Sequence, residues 1–79
     1  MILVTGSTGL VGSLLLRRLL DSGEQVRCLV RDPRRLGPNR VRVQITLGEL
    51  EDPNALRQSV RGIDTVIHLA GGARDQPGA

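Results

Sequence analysis

The chain has 79 residues and a formal net charge of +3. That length makes one small domain, which buries only about 60% of its unfolded surface. A makeup of 39% hydrophobic and 24% charged residues is globular, and no stretch approaches the ~20 apolar residues of a membrane span. No aromatic residue is present, so the core must be built from Leu, Val, Ile and Ala. All eleven basic residues are arginine, which excludes a P-loop, whose motif needs a lysine. The modest charge and the lack of stacking rings argue against a nucleic-acid partner. Arg31, Arg34, Arg35, Arg40 and Arg42 read instead as a solvated face with one or two phosphate contacts. A single cysteine, Cys28, cannot form an internal disulfide and fits a reducing, cytoplasmic setting. With one histidine beside it, no metal site is expected. No charged segment precedes the first strand, so no signal peptide is expected either.

Residues 2–5 are a short apolar run read as strand one. Glycines at 6, 9 and 12 follow, and a leucine-rich helical pattern spans residues 10–22. Its expected buried face is Leu10, Val11, Leu14, Leu15, Leu19 and Leu20, with Leu16 off-pattern. Gly23 is the helix stop. Residues 25–31 read as strand two. Asp32-Pro33 looks like an N-cap with proline at the first helical position, opening a short turn that Gly37-Pro38 closes. Residues 40–47 read as strand three, an edge strand in which Val41, Val43 and Ile45 alternate with polar residues. Asp52-Pro53 repeats the cap signal before a helix over 54–61 with Ala55, Leu56 and Val60 inward. Residues 64–70 read as strand four.

Strands alternating with helices imply an α/β fold with a parallel sheet and right-handed crossovers. Strand order 3-2-1-4, with helices on both faces, gives a partial Rossmann fold. Residues 1–72 form the nucleotide-binding domain and 73–79 a flexible tail. Ligands of such sheets sit at the carboxyl ends of the strands. Gly6 to Gly12, Arg31, the loop of Gly48, Glu49 and Leu50, and the segment of Ala70, Gly71 and Gly72 all fall there.

The glycine spacing is T-G-x-x-G-x-x-G rather than G-x-G-x-x-G. Gly6 permits the turn out of strand one. Gly9 lets backbone approach a diphosphate. Gly12 lets the helix pack closely. Ser7 and Thr8 add hydroxyls, and the N–H groups of Leu10 and Val11 lie at the positive helix end. His68 lacks a partnered acid or serine and reads as a packing residue. Cys28 reads as a small core residue.

Four motifs carry a family resemblance: Val4-Thr5-Gly6-Ser7-Thr8-Gly9-Leu10-Val11-Gly12, Val26-Arg27-Cys28-Leu29-Val30-Arg31-Asp32, Leu47-Gly48-Glu49-Leu50-Glu51-Asp52 and Asp64-Thr65-Val66-Ile67-His68-Leu69-Ala70. The chain resembles the N-terminal part of extended and atypical short-chain dehydrogenases/reductases, close to NAD-dependent epimerase/dehydratases. The NmrA-like group and proteins related to a complex I accessory subunit are the nearest. The resemblance implies that Val30 occupies the place of the ribose-binding acid. Arg31 then faces a 2′-phosphate, with Arg34 or Arg35 assisting, so NADP is expected ahead of NAD. The alternative makes Asp32 the ribose acid. Glu49 stands where the family's G-D-L motif carries an adenine-binding acid, Leu50 runs beside the ring, and Ala70 and Gly71 line the far side.

The Tyr-x-x-x-Lys pair of that superfamily has no counterpart, because the chain holds neither tyrosine nor lysine. The expectation is the N-terminal part of a longer reductase or epimerase that holds cofactor without acting on it. The alternative is a complete non-catalytic NADP-sensing or complex-assembly module. In either case the bare edge of strand four invites self-association or a protein partner.

Overall fold

The computed structural model describes residues 1–69. Its elements are β1 (Ile2–Thr5), α1 (Leu10–Asp21), β2 (Val26–Val30), a 3-10 segment (Pro33–Val41), β3 (Gln44–Leu47), α2 (Pro53–Ser59) and β4 (Thr65–His68). The sheet is four-stranded in the order β3-β2-β1-β4, every pair parallel. Each return to a parallel neighbour needs a crossover, and the connections divide between the two faces. On one face Leu16 of α1 and Leu36 of the 3-10 segment close over Val4, Val26, Cys28 and Val30. On the other, Ala55 of α2 closes over Leu3 and Leu29. Successive residues of β1 and β2 thus feed opposite layers, which is why these central strands are nearly continuous runs of apolar residues.

Both N-cap expectations hold. The Asp32 side chain accepts a hydrogen bond from the Arg34 N–H, and Asp52 accepts one from the Asn54 N–H. In each case proline follows, so the first available donor lies two residues on.

The helix faces match expectation in part: Leu19 and Leu20 of α1 pack against the core and Ala55 of α2 is buried, but other positions differ. In α1 the fully buried residue is Leu16, together with Gly12, whereas Leu10 and Val11 are 79% and 71% exposed and Leu14 is also exposed. The cause is a backbone contact. A Cβ at Gly12 would come within 2.7 Å of the Gly6 carbonyl oxygen and of Ser7 Cα. The glycine side of the helix is therefore the side that faces the turn. Leu16, one turn further on, follows it inward, and Leu14, about 200° around the helix from Gly12, turns to solvent.

In α2 the inward pair is Ala55 and Ser59, while Leu56 and Val60 are exposed. Ala55 is pressed against Gly48, where no Cβ would fit. Arg27 of β2 fixes the other end, donating from Nη1 to the carbonyls of Ser59 and Arg61 at 2.8 and 2.6 Å. Gln44 steadies the same guanidinium through Nε at 3.0 Å. A cation at this end satisfies the carbonyls that a helix leaves open and complements its dipole.

Strand three starts later than expected, at Gln44. Gly37, at φ 63°, joins two 3-10 turns into one segment that runs on through Val41. Val41 is consequently 83% exposed and outside the sheet, and β3 is largely exposed, as suits an edge strand.

Candidate functional site

The carboxyl ends of the four parallel strands open onto one cleft of about 610 Å³. β1 leads into it through Gly6, at φ +78°, where a Cβ would collide with the Leu69 carbonyl oxygen. The chain then turns through Ser7 and Thr8 to Gly9, the N-cap of α1. No side chain caps this helix and no acid occupies its first turn. The N–H groups of Leu10, Val11 and Gly12 therefore have no intrahelical acceptor and lie at the positive end of the dipole. Among the described residues nothing lies within 4 Å of where a Cβ at Gly9 would be.

Six of the residues singled out from sequence line this one cleft: Gly6, Ser7, Thr8, Arg31, Glu49 and Leu50. They arrive from three separate stretches, carried by β1, β2 and β3. Gly9, Leu10 and Val11 continue the turn at its rim, exposed. Gly12 is buried, and its contact is with the turn itself. Ala70 and Gly71 lie outside the described residues.

Ser7 Oγ is fully buried and has no hydrogen-bond partner among the described residues. Its polar neighbour is the Cys28 thiol. Burial pushes the Cys28 pKa up, and the neighbouring Ser7 hydroxyl acts in the opposite direction with a smaller effect.

On the β2 side, Arg31, Asp32 and Arg35 line the cleft. Arg34 does not, because its guanidinium turns back onto Asp32: Nε donates to Oδ1 at 3.0 Å and Nη2 to Oδ2 at 3.1 Å. These bonds, with that from the Arg34 N–H, hold the Asp32 carboxyl below its ordinary range. Among the described residues, Arg31 and Arg35 form no ion pair.

Sequence reasoning did not place His68 or Glu51 at the site. His68 is exposed and lines the cleft rather than packing in the core. It pairs in register with Thr5, and the Thr5 hydroxyl and His68 Nδ1 share a 2.7 Å hydrogen bond. The signal for this was the parallel register itself, which brings the last residues of β1 and β4 side by side. Glu51, two residues past Glu49, follows the same loop into the cleft wall, and no sequence signal set it apart from a solvated loop acid.

The fold family implies a dinucleotide, and the residues fit its anionic part. Open space at Gly9, an uncapped helix start, and Arg31 and Arg35, which form no ion pair among the described residues, converge on the same mouth. Among the described residues no cluster of three metal-ligating side chains occurs, and no helix is long and apolar enough to cross a membrane.

Comparison with known proteins agrees with this geometry. A family model described as NAD(P)H-binding matches residues 6–79. A 3 beta-hydroxysteroid dehydrogenase/Delta 5→4-isomerase of Mycobacterium tuberculosis is 39% identical over 69 residues, spanning 87% of this chain and 18% of that protein. The crystal structure of a short-chain dehydrogenase/reductase superfamily protein from Agrobacterium tumefaciens with bound NAD superposes with a TM-score of 0.77 at 35% identity, covering 98% of this chain and 22% of the other. That of a UDP-glucose 4-epimerase superposes at 0.74 with 25% identity, covering 89% and 22%. The chain thus spans about a fifth of the length of these relatives. With fold, cleft and family model in agreement, the chain belongs to the NAD(P)H-binding family and corresponds to the N-terminal nucleotide-binding part of short-chain dehydrogenase/reductase- and epimerase-like proteins.

Proposed function

We propose that this chain binds the ADP-ribose and pyrophosphate half of a nicotinamide dinucleotide and prefers NADP(H) to NAD(H). One observation carries the preference. Val30 ends β2 with no acid, and Arg31 and Arg35 line the cleft just beyond it while Arg34 engages Asp32. Guanidinium forks suit a 2′-phosphate, whereas a ribose diol calls for an acceptor. In this reading the diphosphate lies against Gly9 and the N–H groups of Leu10 and Val11, with the Ser7 backbone and the Thr8 hydroxyl beside it. Glu49 accepts from the adenine amino group, Leu50 flanks the ring, and Ala70 and Gly71 complete the far wall.

The 79 residues contain neither tyrosine nor lysine. The chain therefore holds the cofactor, and reduction or epimerisation belongs to groups supplied from elsewhere in a longer protein. Titration with NADPH, NADH and 2′-AMP tests the reading. NADPH should bind more tightly than NADH, and 2′-AMP should compete with it. Arg31→Asp should cut NADPH affinity at least about ten-fold, the order expected for losing a charge-assisted pair, and leave NADH nearly unchanged. Equal losses for both nucleotides would remove the 2′-phosphate from the role of Arg31.

A further inference from the structure

The sequence Arg31-Asp32-Pro33-Arg34-Arg35 places an acid and three arginines within five residues, and the fold separates them into two sets. Pro33 has no N–H, so the first backbone donor available to the Asp32 carboxylate is that of Arg34, at 3.1 Å. This capping bond brings the Arg34 side chain back over the same carboxylate. Its Nε and Nη2 then take Oδ1 and Oδ2 respectively, a two-pronged contact. The Arg35 N–H closes the turn on the Asp32 carbonyl at 3.1 Å, and its side chain faces the cleft instead. Asp32 itself lines the cleft with its side chain 36% exposed, immediately after the last residue of β2. That is the neighbourhood in which an unengaged acid would meet ribose hydroxyls.

We propose that Arg34 is a positioning residue for nucleotide selectivity: by holding both carboxylate oxygens of Asp32 it keeps that acid from accepting a 2′,3′-diol, and so disfavours NAD(H). The proposal rests on the dinucleotide-binding reading above. Arg31 and Arg35 favour a 2′-phosphate directly, and Arg34, which does not line the cleft, acts through Asp32. Electrostatics runs the same way. An Asp32 freed of its partner places an uncompensated negative charge beside a phosphomonoester, so one event disfavours NADPH and favours NADH.

The test measures NADH and NADPH affinities separately, on the full chain, for wild type, Arg34→Ala, Arg34→Gln and Asp32→Asn in combination with each. Thermal unfolding identifies which variants are folded, and the two replacements at position 34 guard against one that is not. Arg34→Ala and Arg34→Gln should raise NADH affinity by about three- to ten-fold, the scale of a hydrogen bond to a partly screened carboxylate, while NADPH affinity falls. Adding Asp32→Asn should abolish the NADH gain, because asparagine still caps the turn but carries no charge. A merely structural role for Arg34 would weaken both nucleotides together and would not depend on the charge at position 32. Unchanged NADH affinity in the folded single variants, or a gain that survives Asp32→Asn, overturns the proposal. Wild type that binds neither nucleotide overturns the functional reading as well. Wild type that binds both equally overturns only the NADP preference, and the NADH arm still decides the role of Arg34.

Discussion

Gly9 and Gly12 are three residues apart and have opposite kinds of surroundings. A Cβ at Gly9 meets nothing within 4 Å among the described residues, and its backbone, at φ −83° and ψ 179°, suits any residue. Gly9→Val should therefore leave stability within about 0.5 kcal/mol of wild type. It should weaken dinucleotide binding by at least about ten-fold, because the branch fills the space the diphosphate needs. Isothermal titration beside thermal melts would separate the two effects. Gly12→Ala should do the reverse, costing about 1–3 kcal/mol through overlap with rigid backbone. The acid side of the site has its own dependence. Because Arg34 lowers the Asp32 pKa, the stability contributed by that cap is present above the ordinary carboxylate range and is lost as pH falls through the depressed value. The protection of the Arg34 and Arg35 amides, measured against their intrinsic exchange rates, should fall below about pH 4, while amides in the middle of β1 stay protected.

At the scale of elements, the sheet was legible in the sequence and the helix faces only in part, Leu19, Leu20 and Ala55 facing inward as expected. Glycine breaks, apolar runs and two Asp-Pro caps mark where the chain must turn, and parallel crossovers leave few arrangements. The face of α1 is different. Leucine or valine occupies so many of its positions that helical periodicity supports several inward stripes. What selects among them is the contact of Gly12 with the Gly6–Ser7 backbone, a tertiary fact. The orientation of α2 likewise depends on Arg27 of β2, 32 and 34 residues from the Ser59 and Arg61 carbonyls it reaches. The cleft depends on neither helix face, because it is set by strand ends. Arg27→Met keeps much of the packing stem and removes the donors. It should destabilise the chain by about 1–2 kcal/mol, read as a lowered urea midpoint, with cofactor selectivity unchanged.

Taken as a whole molecule, a small core must support an open sheet. β4 pairs with β1 on one side only among the described residues, and Val66 on it is 56% exposed. Leu10, Val11 and Leu14 add exposed apolar area on α1. A domain of this size with so much uncovered surface should be marginally stable, and its unfolding midpoint should rise with protein concentration if the β4 edge pairs between chains. A sharp transition independent of concentration, from a monomer by sedimentation, would exclude that association.

The parallel sheet has two unlike ends. All the cleft-lining residues gather where the strands finish, whereas the Met1 ammonium meets Asp64 at 3.1 Å where β1 and β4 begin. A four-residue strand separates the two ends by about 13 Å. A tether, dye or affinity handle fused ahead of Met1 would thus emerge on the side remote from the nucleotide mouth. It would remove one exposed ion pair and leave entry to the cleft unobstructed, so this is the end by which to anchor the chain to a sensor surface.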